Sequence, residues 1–380
     1  MPFSNITTSQ SLRRKTRIVC VSDTHGASPH NGAFKLPKGD VLIHAGDLSN
    51  QGSYSELKKT VEWIKSADYE VKIVIAGNHD ITLDAAFYAA HGAAVHSQSP
   101  QDAAACLNLF TDTGILYLEH ASADVRLTSP SGPQTTFKVF GSPYSPTRGT
   151  WGFSYPSCPS GIWDDSVAER LWSEIPLDAD VVVTHGPMMG HCDASPKWGV
   201  AGCAALQKRL WEVRPGLAVC GHVHEGRGAE VVRWGREFPG REERVVSWID
   251  PGLGSKKMSL VDLTGRKGMA RLDNDLSHCK GVTERGSQVN HVSFSGTVDG
   301  ETKMSRMHHG RVGTWQGREG RKETCVVNAA IMARSHGMGA KRFNQPIVVD
   351  IDLPVWREEM SLPGYANNTS AVPRQHPEES

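Results

Sequence analysis

Residues 17–26 read Arg17-Ile18-Val19-Cys20-Val21-Ser22-Asp23-Thr24-His25-Gly26. An apolar, β-branched run ends directly on two potential metal ligands. A continuous run of this length reads as a strand buried on both faces and covered by helices. The form recurs along the chain. Residues 40–44 lead to Asp47 in His44-Ala45-Gly46-Asp47, and residues 71–76 lead to Asn78 in Gly77-Asn78-His79-Asp80. Residues 180–184 precede His185 of Thr184-His185-Gly186-Pro187, and residues 217–220 precede Gly221-His222-Val223-His224. Donors that each follow a strand belong on loops at the carboxyl ends of an α/β sheet.

Helical signals fall between these runs. Ser53 and Glu56 form a capping box, after which Leu57, Val61 and Ile64 keep one apolar face. Leu206, Leu210 and Val213 do the same until Pro215 ends the helix. Residues 115–118, 125–128 and 136–140 read as a meander that opens a second sheet. Beyond Glu225 the rhythm is lost, and residues 265–321 are rich in Gly, Ser, His, Arg and Lys. The expected organisation is a disordered start (1–16), one domain (17–362) interrupted by a largely flexible insertion at about 236–322, and a disordered tail (363–380). A small hairpin is expected within residues 248–263, and order returns at 324–328 and 347–353.

Composition narrows the function classes. The 41 Lys+Arg balance the 41 Asp+Glu, so no net field draws the chain to nucleic acid or an anionic membrane. No run is long enough to span a bilayer. The 8 cysteines include no Cys-x-x-Cys pair, and Cys20 and Cys220 lie inside apolar runs. Reduced thiols in a cytoplasmic protein are the expectation.

The donor types point to a chemistry. Carboxylate and amide oxygens mixed with imidazoles suit Mn, Fe, Co, Ni or Zn rather than the all-oxygen sites of Ca. In Asp23-Thr24-His25 one loop offers two side chains to a single ion. In His222-Val223-His224 the histidines are two apart and can serve adjacent ions. Two ions about 3.5–4 Å apart can hold a bridging hydroxide and grip phosphoryl oxygens.

These blocks, in this order, resemble the calcineurin-like metallophosphoesterase superfamily over residues 17 to about 230. Gly141-Ser142-Pro143-Tyr144, Trp151-Gly152-Phe153 and His222-Val223-His224-Glu225-Gly226 are similar to the metallophosphoesterase-domain-containing branch enriched in animal brain. The resemblance implies a four-layer α-β-β-α sandwich with two mixed β-sheets. It assigns Asp23, His25, Asp47 and His224 to one ion, and Asp47, Asn78, His185 and His222 to a second, with Asp47 bridging. His79 would protonate the leaving alkoxide after a bridging hydroxide attacks phosphorus, with Asp80 orienting His79. The implied substrate is a small phosphoester, a nucleotide or cyclic nucleotide, and the ions are a divalent pair with Mn2+ first. Residues 236–322 depart from that branch, which joins the same blocks by a short stretch.

Two other classes stay open. A protein Ser/Thr phosphatase would continue its Gly-Asp block into Asp-Arg-Gly and place Arg before its Asn-His block. Here Leu48-Ser49-Asn50 and Ala76-Gly77 stand there instead. A nucleotide- or protein-binding scaffold with slow catalysis is the other. His44, which precedes Asp47, reads either as an ordinary histidine or as a supporting group for the donors. Trp151 and Phe153 read first as packing, and second as a stacking platform with Tyr144 and Arg148.

Overall fold

Alternation inside the buried runs sets the layering. In the first strand, Ile18 and Cys20 enter one apolar cluster while Val19 and Val21 enter another. A strand sends successive side chains to opposite faces, so both faces of this sheet are covered. The computed structural model describes residues 12–156, 165–236, 244–266, 271–274, 320–334 and 342–356.

The strands are β1 (Arg13–Val21), β2 (Val41–Ala45), β3 (Val71–Ile75), β4 (Ile115–Tyr117), β5 (Ala121–Arg126), β6 (Thr136–Ser142), β7 (Ser145–Pro146), β8 (Ser154–Tyr155) and β9 (Val181–Thr184). They continue with β10 (Ala194–Ser195), β11 (Gly199–Val200), β12 (Leu217–Cys220), β13 (Gly228–Arg233), β14 (Arg244–Ser247), β15 (Ser259–Asp262), β16 (Glu323–Asn328) and β17 (Ile347–Pro354). The helices are α1 (Tyr54–Ser66), α2 (Ala85–Val95), α3 (Ala103–Asn108), α4 (Ser166–Trp172) and α5 (Ala204–Val213).

One sheet has the order β15-β17-β1-β2-β3-β4, and a second has β14-β13-β16-β12-β9-β6-β5. Both are mixed. In the first, β1 is parallel to β2 and antiparallel to β17; in the second, β12 is parallel to β9 and β16, while β13 runs antiparallel to β16. Their inner faces share a core of Ile18, Ile43 and Ile75 from one sheet with Val139, Val183 and Val219 from the other. Outside the first sheet lie Leu57, Val61 and Ile64 of α1; outside the second lie Trp172 of α4 and Leu206, Leu210 and Val213 of α5. The expected four-layer sandwich is the fold found. Each such side chain fully buried contributes about 1.5–3 kcal/mol.

The capping box at Ser53 and Glu56 forms as expected, and Arg214 ends α5 in the left-handed region just before Pro215. Three local expectations differ. The first strand begins at Arg13 rather than 17, because the backbone of residues 13–16 pairs with β17 whatever the charge of its side chains. Buried Thr16 meets Thr135 at 2.7 Å within that stretch. The meander divides: β4 closes the edge of the first sheet, and only β5 and β6 join the second. The stretch 248–263 is not a hairpin. Its neighbour β14 belongs to the second sheet and β15 to the first, so the chain crosses between sheets there. Residues 1–11, 275–319 and 357–380, which include most of the expected insertion and the tail, lie outside the described residues.

Candidate metal centre

Sharp turns bring the strand ends together. Asp23, His25, Asp47 and His222 all occupy the left-handed region, with φ of 52°, 44°, 54° and 66°. For non-glycine residues this is a strained conformation. Backbone bonds hold it in place: Asp23 N–H donates to Gly46 O at 2.9 Å, and His25 N–H to Asp47 O at 3.0 Å. Gly46 has φ 96°, and a Cβ there would fall 2.5 Å from His185 Nδ1. Only glycine lets the β2 turn approach that closely.

The donors form two groups joined at one carboxylate. In the first, Asp23 Oδ1 lies 3.2 Å from His224 Nε2, His224 Nε2 lies 3.3 Å from His25 Nε2, and His25 Nε2 lies 3.6 Å from Asp47 Oδ2. In the second, Asp47 Oδ1 lies 3.4 Å from His185 Nε2. Asn78 Oδ1 then lies 2.9 Å from His185 Nε2 and 2.8 Å from His222 Nδ1. Asp47 thus turns one oxygen to each group. Asp23, His25, Asp47, Asn78, His185 and His224 are all buried, and His222 is half-buried.

This donor set fits metal ions on chemical grounds. His25 Nδ1 faces Ser49 O at 3.1 Å and His185 Nδ1 faces Ala45 O at 2.9 Å. A ring nitrogen facing a carbonyl carries a proton, so in the neutral, metal-binding form each ring would turn its Nε2 lone pair inward. Those lone pairs meet carboxylate oxygens and other imidazoles, an arrangement that needs a cation between them. Separations near 3 Å are what two ligands about 2.0–2.2 Å from one ion subtend. Burial pushes His25 down to about 4 and His222 down to about 3, keeping both in the neutral, ligating form. Burial opposes charge on His185 too, but the Asp47 carboxylate outweighs it and raises that ring to about 9. That field attracts any cation. Burial also disfavours the Asp23 and Asp47 charges, yet the surrounding histidines hold both carboxyls below the usual range.

His79 stands at the edge of the first group, with a ring nitrogen within 4.8 Å of the donor atoms of His25 and Asp47. Its Nδ1 faces Asn50 O at 2.6 Å, and its ring stacks on Trp151 with centroids 4.0 Å apart. Asp80 does not sit where the sequence reading placed it. Its carboxylate accepts from Gly77 N, Leu48 N, Ser49 N and Ser49 Oγ at 2.6–3.0 Å, so it binds the two loops together beneath the donors. Asn50 and Trp151 orient His79 instead. His44 also stays below the centre, its Nε2 2.9 Å from Thr24 Oγ1.

Phe153 is core, 2% exposed. Trp198 was missed by sequence reasoning. Its ring lies nearly parallel to that of His222, at 13° with centroids 6.3 Å apart, and the Arg148 guanidinium sits 5.0 Å from the Trp198 centroid. The signal was an aromatic in the short turn Pro196-Lys197-Trp198 between β10 and β11.

A two-sheet sandwich with a shared-carboxylate donor set at its strand ends defines the class: a domain built to hold a pair of metal ions. The chain belongs to the calcineurin-like phosphoesterase family, whose profile matches residues 16–226. It is 38% identical over 222 residues to metallophosphoesterase domain-containing protein 1 of Homo sapiens, covering 56% of this chain and 62% of that protein. It is 33% identical over 223 residues to UPF0046 protein K07C11.7 of Caenorhabditis elegans, covering 56% and 64%. It is also 41% identical over 233 residues to probable rhamnogalacturonate lyase C of Emericella nidulans, covering 60% of this chain but 19% of that protein. The match thus spans less than two thirds of each of these relatives. Among the described residues, no helix is long and apolar enough to cross a membrane.

Proposed function

We propose that this chain is a metal-dependent phosphoester hydrolase, a phosphodiesterase acting on nucleotides, cyclic nucleotides included. The observation that carries this reading is Asp47 turning its two oxygens to two separate donor groups. Asp23, His25, Asp47 and His224 would hold one divalent ion, and Asp47, Asn78, His185 and His222 the other, with Mn2+ the first candidate. Bound there, the ions would supply Lewis acidity toward phosphoryl oxygens and water acidified from about 15.7 to about 7.

The protein's own part is proton delivery and positioning. With Nδ1–H directed at Asn50 O, His79 presents Nε2 outward. As water oxygen bonds to phosphorus and the ester P–O bond breaks, the departing oxygen takes its proton from protonated His79 Nε2. Asp80 positions the loops and exchanges no proton with substrate. Trp151 beside His79 and Trp198 beside His222 give the donors an aromatic rim against which a base could pack, which favours a nucleotide over an aliphatic ester. No arginine follows Asp47 or precedes Asn78 to grip a phosphomonoester, which weighs against a protein phosphatase.

The test is turnover of bis-p-nitrophenyl phosphate and of a nucleotide and cyclic-nucleotide panel by the purified chain with Mn2+. Hydrolysis of the diester with preference for a nucleotide is expected. No turnover in protein shown by elemental analysis to hold both ions would make it a binding scaffold instead.

A further inference from the structure

The end of the sandwich remote from the donors holds a cavity of about 90 Å3 between the two sheets. Arg13, Asp180, Arg271, Asn274, Arg321 and Asp352 are among its walls. Arg13 opens β1 and Asp23 follows its other end, which sets the cavity roughly 30 Å from the donors at about 3.3 Å per residue.

The charges here do not cancel. Arg321 is 6% exposed and donates Nη2 to Asp180 Oδ1 at 2.8 Å and Nη1 to Ala179 O at 2.6 Å. The other oxygen of Asp180 accepts the Lys138 N–H at 2.8 Å. Arg271 reaches Asp352 Oδ2 at 2.9 Å, with its side chain 59% exposed on the rim. Arg13 has no carboxylate of its own among the described residues. Its Nε and Nη2 both donate to the neutral carbonyl of Asp352, at 3.2 and 2.5 Å. Its Nη1 is buried with no hydrogen-bond partner. A buried guanidinium N–H left unpaired is costly, and its planar fork matches an oxyanion. Three guanidinium groups face two carboxylates, which leaves one positive charge at Arg13. Burial pushes that guanidinium down from its ordinary value while Asp180 and Asp352 support its charge.

Arg271 is held at the rim by its neighbours. Asn274 Oδ1 accepts from Lys322 N and Glu323 N, both at 2.8 Å, and Asn274 Nδ2 donates to Glu323 O at 2.7 Å. Residues 271–274 are thus pinned to the start of β16.

We propose that this cavity binds free phosphate or an oxyanion of its class, with Arg13 Nη1 and Arg271 as the donors. Residues 271–274 then complete a second site, independent of the metal centre and of the activity assigned to it. Calorimetric titration of the metal-loaded full chain with inorganic phosphate tests this. Phosphate at the donor cluster is tracked separately, by its inhibition of bis-p-nitrophenyl phosphate turnover. A second class of binding is expected in calorimetry, weakened about tenfold or more in Arg271→Gln. Arg271 is exposed, so that variant keeps its fold; Arg13→Gln should lose the same class. Asp352→Asn removes the carboxylate that competes for Arg271 and should tighten phosphate, which a merely structural contact would not do. Turnover should be unchanged in Arg271→Gln. Absence of the second class, or equal affinity in wild type, Arg271→Gln and Asp352→Asn, overturns the proposal.

Discussion

The two ends of the sandwich solve opposite electrostatic problems. At the carboxyl ends of β1, β2, β3, β9 and β12, carboxylates, an amide and imidazoles crowd together on strained turns. At the other end Arg13 from β1, Arg271 from residues 271–274 and Arg321 just before β16 answer Asp180 and Asp352. One end lacks positive charge and the other has an excess of it. Strain and unfavourable lone-pair contacts gather where ions are to be held, while the opposite end is built from ion pairs that fasten the segments beside the strand starts. Substitutions at the donor end should therefore change rate and metal content, and those at the far end should change stability.

The largest effect is expected at Asp47, the one residue in both donor groups. Asp47→Asn should reduce kcat/KM by more than the roughly 10–100-fold that outer partners of a metal site are worth. Steady-state assays with saturating Mn2+ measure this, and full activity would break the ligand assignment. His79→Ala comes next. It should keep the metal yet lose about 10²–10⁴-fold in kcat on an alkyl-leaving diester, with a much smaller loss on p-nitrophenyl esters, whose leaving group needs no proton.

Arg321→Met should leave kcat unchanged and cost about 2–3 kcal/mol in denaturant unfolding. That is less than the roughly 3–5 kcal/mol of a fully buried pair, because Asp180 is 21% exposed. Loss of rate with unchanged stability would erase the contrast between the two ends. The smallest effect is at Trp151. Trp151→Ala should raise KM for a nucleotide substrate by about 5–100-fold, the worth of one stacked base, and leave KM for bis-p-nitrophenyl phosphate less affected. It should lower kcat far less than His79→Ala, because Asn50 still holds the His79 ring.

Much of the donor end was legible because its requirements are local. Gly46-Asp47 and Gly77-Asn78 show in sequence both the ligand and the glycine that makes room for it. Fully buried strands announced themselves as unbroken apolar runs. The rest depends on pairing that no short window reveals. Arg13 and Lys15 look like the start of a solvated tail, yet their backbone joins β17 from the far end of the chain. β15 is a short edge strand that pairs with β17 alone among the described residues, so its place in the first sheet depends on a segment far along the chain. Asp80 adjoins His79 in sequence but turns away from it, since its carboxylate is taken by the N–H groups of the Asp47 loop. Trp198 meets His222 only through the fold.

The central claim is that two ion sites share Asp47, and counting Mn per chain by elemental analysis tests it most directly. Wild-type protein should hold two ions, Asn78→Ala should keep the one bound by Asp23, His25, Asp47 and His224, and Asp47→Asn should lose both. A single ion in the wild type, or two retained in Asp47→Asn, would contradict the account.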